Sequence, residues 1–92
     1  MTHKIKLNIN LCDAVLSGDK NFEVRLNDRG YQKGDLIQFV PWKGLSAGYS
    51  VPHELAHKTY AITYVLNGYS GIEDDYCVFG IKEVTDDGRR ED

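Results

Sequence analysis

Between Phe22 and Leu26 apolar and charged residues alternate strictly, with Phe22, Val24 and Leu26 on one parity and Glu23 and Arg25 on the other. Period-two alternation marks a strand with two unlike faces. The expected arrangement lays the three apolar side chains over a core and turns Glu23 and Arg25 towards water or a ligand. Turn formers bound the strand: Gly18 precedes it, and Asn27-Asp28-Arg29-Gly30 and Lys33-Gly34-Asp35 follow. Lys20, Glu23, Arg25 and Arg29 therefore crowd around one short element.

The rest of the chain must supply that strand with neighbours. Residues 4–9 alternate, Ile5, Leu7 and Ile9 against Lys4, Lys6 and Asn8, and read as a first strand with one wet face. Asn10 is the expected N-cap of a helix of about two turns, in which Leu11, Ala14 and Val15 keep helical spacing. Gly18 is placed to end it in a left-handed conformation. Residues 36–40 read as a third strand that Pro41 blunts or ends. Residues 43–57 have little periodicity and are expected to form a long loop with at most one helical turn. Residues 58–66 and 76–84 read as two further strands, separated by the Asn67-Gly68 turn and a polar connection; Cys77, Phe79 and Ile81 alternate against Val78, Gly80 and Lys82. The last residues, D-D-G-R-R-E-D, offer nothing apolar to bury. They predict a disordered acidic tail over 86–92 after a single domain over 1–85. The expected class is α+β: a small barrel-like sheet of five to six strands, one short early helix and one long loop.

Charge narrows the function. The net charge is -3 over 92 residues, but residues 1–72 carry eight Lys/Arg against six Asp/Glu and residues 73–92 carry three against eight. The body is mildly basic and the acidity terminal. So weak a field does not grip long nucleic acid by phosphate neutralisation, yet it suits one nucleotide or a short single strand. No apolar run approaches the ~20 residues that span a bilayer, and the first residues lack a signal-peptide apolar segment, so a cytoplasmic protein without a membrane partner is expected. Cys12 and Cys77 stand alone on apolar-patterned segments and read as buried small hydrophobes. His3 has no evident partner.

Gly18-x-Lys20-x-x-Glu23-x-Arg25 resembles the G-x-K-x-x-E-x-R signature of the ASCH domains, members of the PUA-like superfamily. The short helix before the glycine, F-E-V-R-L-N-D-R after it, the Gly34-Asp35 corner and a closing strand near residues 76–84 extend the likeness over His3 to Val84, towards a small uncharacterised bacterial and phage-associated branch. The resemblance implies a closed or nearly closed PUA-like β-barrel with helices at its ends. It also implies a cleft lined by the motif and a role with RNA or modified nucleotides, without a cofactor. Some ASCH proteins are small amidohydrolases that remove an acyl group from a modified cytidine, using a threonine beside the motif lysine. Glu23 occupies that place here, so hydrolysis by the same route lacks its nucleophile, and Glu23 would have to activate a water instead.

The residue types suit such a cleft. Lys20 is a compact cation for a phosphate or oxyanion, and Arg25 offers a planar fork for a phosphate or base edge. Glu23 can accept from an exocyclic amine, and Lys20 with Glu23 would form the catalytic pair if the protein were an enzyme. Arg29 is the turn residue able to reach a ligand, and Tyr31 and Trp42 are the expected stacking platforms for an unpaired base. The plainer alternative makes Lys20, Glu23 and Arg25 a salt-bridge cluster at the barrel mouth and Trp42 a plug at the core edge. His53-Glu54-Leu55-Ala56-His57 matches H-E-x-x-H, the pattern of a zinc hydrolase when helical. Pro52 before it and β-patterned residues after it predict a solvated turn with no bound metal. The pattern sets no oligomeric state.

Overall fold

The computed structural model describes residues 1–45 and 47–84. Its elements are β1 (Thr2–Asn8), α1 (Ile9–Ser17), β2 (Phe22–Leu26), β3 (Leu36–Lys43), β4 (Tyr49–Ser50), a 3₁₀ turn (Glu54–His57), β5 (Thr59–Asn67) and β6 (Tyr76–Val84). The expected tail over 86–92 lies outside the described residues.

The strands form one mixed six-stranded sheet in the order β1-β3-β5-β6-β2, with β4 attached to β3. β1 runs parallel to β3, through the crossover that α1 and β2 occupy, and every other pairing is antiparallel. The alternation in β6 is realised as read, and that in β1 as far as Asn8; Ile9, expected on the strand's apolar face, opens α1 instead. Ile5 and Leu7 of β1 and Cys77, Phe79 and Ile81 of β6 are all buried, and α1 adds Cys12 and Val15 to the same core.

Several local expectations are revised. The N-cap is Asn8, not Asn10: the Asn8 side chain accepts from the Asn10 N–H at 2.8 Å, and the helix begins at Ile9. Gly18 does terminate it, with φ of 89° and its N–H on the Val15 carbonyl. The Lys20 N–H then returns to the Ala14 carbonyl at 2.9 Å, which fixes Lys20 beneath the helix end. β3 does not stop at Pro41 but runs to Lys43. Pro41 is tolerated because β5 pairs β3 only at Leu36 and Ile37, so this stretch has left its antiparallel neighbour. The Pro41 carbonyl takes the Val51 N–H instead. The loop over 43–57 contains the two-residue β4 and the 3₁₀ turn.

The largest revision concerns β2, whose faces are reversed. Glu23 is 2% exposed, whereas Phe22, Val24 and Leu26 are 44%, 56% and 46% exposed. Among the described residues β2 is an edge strand held only by β6. Its outward row continues that of β6, Val24 opposite Val78 and Leu26 opposite Tyr76, with no layer over it among the described residues. Alternation states that two faces differ; which one turns inward depends on how well the polar face satisfies itself.

The inward ionic face also governs how the sheet ends. No backbone ladder joins the edge strands β1 and β2. Side chains cross between them: Arg25 Nη2 donates to the Lys6 carbonyl at 2.8 Å and Arg29 Nη1 to the Lys4 carbonyl at 2.7 Å. An edge strand presents unpaired carbonyls, and these two guanidinium groups satisfy alternate ones along β1.

Candidate functional site

The seam between β1 and β2 holds four of the residues singled out in the sequence, Lys20, Glu23, Arg25 and Arg29. The Glu23 carboxylate sits between two cations. Lys20 Nζ binds Oε2 and also donates to the Phe22 carbonyl at 2.8 Å, while Arg25 Nε donates to Oε1 at 2.9 Å. Arg25 Nη2 lies 2.8 Å from the same Oε1 and reaches on to β1. Burying a carboxylate is costly unless it is paired and hydrogen-bonded, and both of its oxygens are. Lys20 precedes Glu23 by three residues and Arg25 follows it by two, which lets one strand and its approach supply both cations. The cluster is therefore structural at its centre. At its rim it keeps free donors, since Arg25 Nη1 has no partner among the described residues and the Lys20 and Arg25 side chains are 17% and 23% exposed.

Two hollows open along this seam. One of about 330 Å³ is lined by Lys6, Asn8, Lys20, Glu23 and Arg25; its neighbour of about 400 Å³ is lined by Lys4, Lys6, Arg25, Asp28, Arg29 and Tyr31. Arg25 and Lys6 belong to both, so the bond between them divides one groove into two compartments. Lys4 and Lys6 were not singled out as site residues. Their alternation with Ile5 and Leu7 marked a wet face, but nothing local in the sequence set β1 opposite β2.

The aromatic candidates are placed differently. Tyr31 is buried, its ring 4.8 Å from that of His3 and 4.7 Å from that of Phe79, and it borders the second hollow. Burial pushes its hydroxyl pKa up, against the lowering pull of Arg29 and Arg25. Trp42 lines neither hollow; its indole N–H donates to the Leu45 carbonyl and Lys6 Nζ lies 4.0 Å from its ring centroid. A cation–π contact thus links Trp42 to the seam through Lys6.

Two of the histidines meet carboxylates. His3 is 4% exposed and, contrary to expectation, has a partner: its Nε2 lies 2.8 Å from Asp35 Oδ2. That bond, helped by the Gln32 N–H, holds the Asp35 carboxyl below the usual carboxylate range. His53 precedes the 3₁₀ turn, where its Nδ1 accepts from the Leu55 N–H and its Nε2 meets Asp13 at 2.7 Å. No group of three or more metal-ligating side chains occurs among the described residues. A single 3₁₀ turn does not present His53 and His57 together as an α-helix would. Cys12 and Cys77 are free, buried thiols whose pKa burial pushes up. No helix among the described residues is long and apolar enough to cross a membrane.

Comparison with known proteins gives a family without an activity. An uncharacterised 12.9 kDa protein of Escherichia phage P2, from the region 3′ of GpA, is 34% identical over 58 residues, which is 62% of this chain. The chain matches about half of that relative, 53% of its length. A family model, described as a domain of unknown function, matches residues 2–81, so the chain belongs to the DUF3850 family.

Proposed function

We propose that the protein is a binding module for RNA or a modified nucleotide, with the β1–β2 seam as its site and the sheet as a PUA-like barrel of the ASCH type closed there by side chains. The observation that carries this is the charge of the groove. Five cationic side chains (Lys4, Lys6, Lys20, Arg25 and Arg29) line its two compartments against two carboxylates, Glu23 and Asp28, on a chain of net charge -3. One of the two carboxylates is buried and already neutralised. Low-dielectric walls around a cationic groove focus field onto an anion. Compartments of this size suit a base or a phosphate group, and Arg25, with two N–H groups to spare, offers a planar donor set for either.

The rival activity, hydrolysis of an acylated nucleoside by Lys20 and Glu23, is less well served. Both Glu23 oxygens already accept from cations, which commits the carboxylate to holding the seam together rather than to aiming a water. Binding is the reading the arrangement supports best.

The test uses Lys4 and Lys6, which are exposed and whose side chains take no part in the Glu23 cluster. A labelled single-stranded RNA of a few nucleotides is titrated with the full chain at low salt, for wild type and for Lys4→Ala with Lys6→Ala. Wild type is expected to bind with a salt-dependent affinity. The double variant is expected to bind more weakly, its log–log salt slope shallower by roughly 0.7 for each phosphate it no longer neutralises. Absence of binding by wild type at low salt, or equal binding with equal slopes, would contradict the reading.

A further inference from the structure

The outer face of β2, β6 and β5 is apolar across all three strands. The register sets Phe22 and Tyr64 on either side of Gly80, Val24 and Leu66 on either side of Val78, and Leu26 beside Tyr76. Cross-strand partners share a face, and the burial of Cys77, Phe79 and Ile81 assigns these eight positions to the opposite one. None of the eight is charged. Tyr64 and Tyr76 are 65% and 38% exposed beside the exposed row of β2. α1 packs on β1, β3 and the 3₁₀ turn instead, so no element covers this face among the described residues.

Size and charge say what fits it. The exposed fractions leave roughly 500 Å² of mostly apolar surface in one patch, at the upper end of what a monomer shows. A standard interface buries about 800 Å² on each partner, about 60% of it non-polar, so the patch supplies the apolar share of one. Its two ends carry opposite charge. Lys82, exposed and of the same parity as Gly80 and Val78, stands at the Phe22 end. Glu73, Asp74 and Asp75, all exposed, lead into Tyr76 at the other. That acidic turn is held in place: the Tyr76 N–H donates to the Glu73 carbonyl at 2.9 Å and the Asn27 N–H to the Asp75 carbonyl at 2.7 Å. A surface with an uncharged centre, one basic end and one acidic end is complementary to itself turned end for end.

We propose that this face docks a second copy of the chain. The two sheets pack face to face about a two-fold axis lying across the strands, so that Lys82 of each copy meets residues 73–75 of the other. An axis along the strands would set acidic end on acidic end. Edge-to-edge pairing through β2 is closed, because Arg25 and Arg29 span its free side to reach β1. Residues 85–92 bring no apolar side chain to cover the patch. The pairing is independent of any ligand at the seam, since Glu23 and Arg25 leave β2 on its other face.

Sedimentation equilibrium of the full chain from about 1 μM to about 1 mM tests this. The mass is expected to rise over that range from that of one chain towards that of two. Val24→Lys and Tyr64→Lys each place a charge in the centre of the patch at a position more than half exposed, and are expected to weaken pairing at least tenfold. Circular dichroism at the dilute end, matching wild type, shows that these variants fold. Lys82→Glu is expected to weaken pairing about threefold at low salt, and adding Asp74→Lys and Asp75→Lys to the same chain to restore it. A single-chain mass at every concentration would overturn the proposal and leave the face to a different partner. So would a dimer that neither Val24→Lys nor Tyr64→Lys weakens, or a mass that rises beyond two chains without a plateau. A dimer broken by the central lysines but indifferent to the charge swap would overturn the two-fold axis across the strands.

Discussion

The sheet is held along two of its lines by different means. β5 and β6 pair through main-chain hydrogen bonds along nearly their whole lengths, Thr59–Asn67 against Tyr76–Val84, with Ile62, Phe79 and Ile81 buried beneath. β1 and β2 meet without a ladder, joined by Arg25 and Arg29 on the carbonyls of Lys6 and Lys4 and by the Glu23 cluster below. The first line pairs its main chain along its length except at the register slip between Ile62 and Tyr64. The second leaves gaps between side chains and unspent donors at the rim, which is what a ligand groove needs. Stability and the proposed recognition thus fall to different parts of one small sheet.

The comparison can be broken at four places. Phe79→Ala removes a ring packed on Tyr31 at 1% exposure and is expected to cost about 3–5 kcal/mol in chemical denaturation, the largest effect of the four. A cost no greater than that of a surface change would mean that the β5–β6 side is not the stable one. Arg25→Ala leaves Glu23 buried with one cation and the Lys6 carbonyl without its donor, for an expected cost of about 2–4 kcal/mol. Arg25→Lys should recover only part of that, because a single ammonium cannot reproduce the fork.

Asp35→Asn tests the corner beside β1 and is expected to cost about 1 kcal/mol at neutral pH. The Asp35 pKa is depressed, first by the His3 bond. Its contribution is therefore present above the unfolded carboxyl value of about 3.9 and lost as pH falls through the lower folded value. The gap between wild type and variant should hold down to about pH 4 and close below it; a gap that is constant to more acid pH would exclude the linkage. The smallest expected effect is that of Val24→Cys, within about 0.5 kcal/mol, since Val24 lies on the open outer face. At high dilution its thiol should react readily with a modifying reagent while Cys12 and Cys77, both 0% exposed, stay protected. Protection of the new thiol at that dilution would show that the apolar row of β2 faces inward after all.

Much of the fold could be read from residue order because it is local. Gly18 ends α1 as its type and position demand, and the alternations of β1 and β6 identify Ile5, Leu7, Cys77, Phe79 and Ile81 as core. The polarity of β2 could not be read that way. A carboxylate between two cations three and two residues distant can satisfy itself, so burial of Glu23 is decided by pairing rather than by hydropathy. The K-x-x-E-x-R spacing was the signal. The roles of Lys4, Lys6 and Asp35 depend on bonds between residues 19 to 34 positions apart, which no local pattern encodes.

Both the fold of the seam and its proposed use require Glu23 and Arg25 to point together into it and hold it. A double-mutant cycle of Glu23→Gln and Arg25→Gln, read by chemical denaturation, measures their coupling directly. A favourable coupling energy of about 1–3 kcal/mol is expected. Coupling indistinguishable from zero, with each substitution costing no more than an ordinary surface change, would contradict that arrangement.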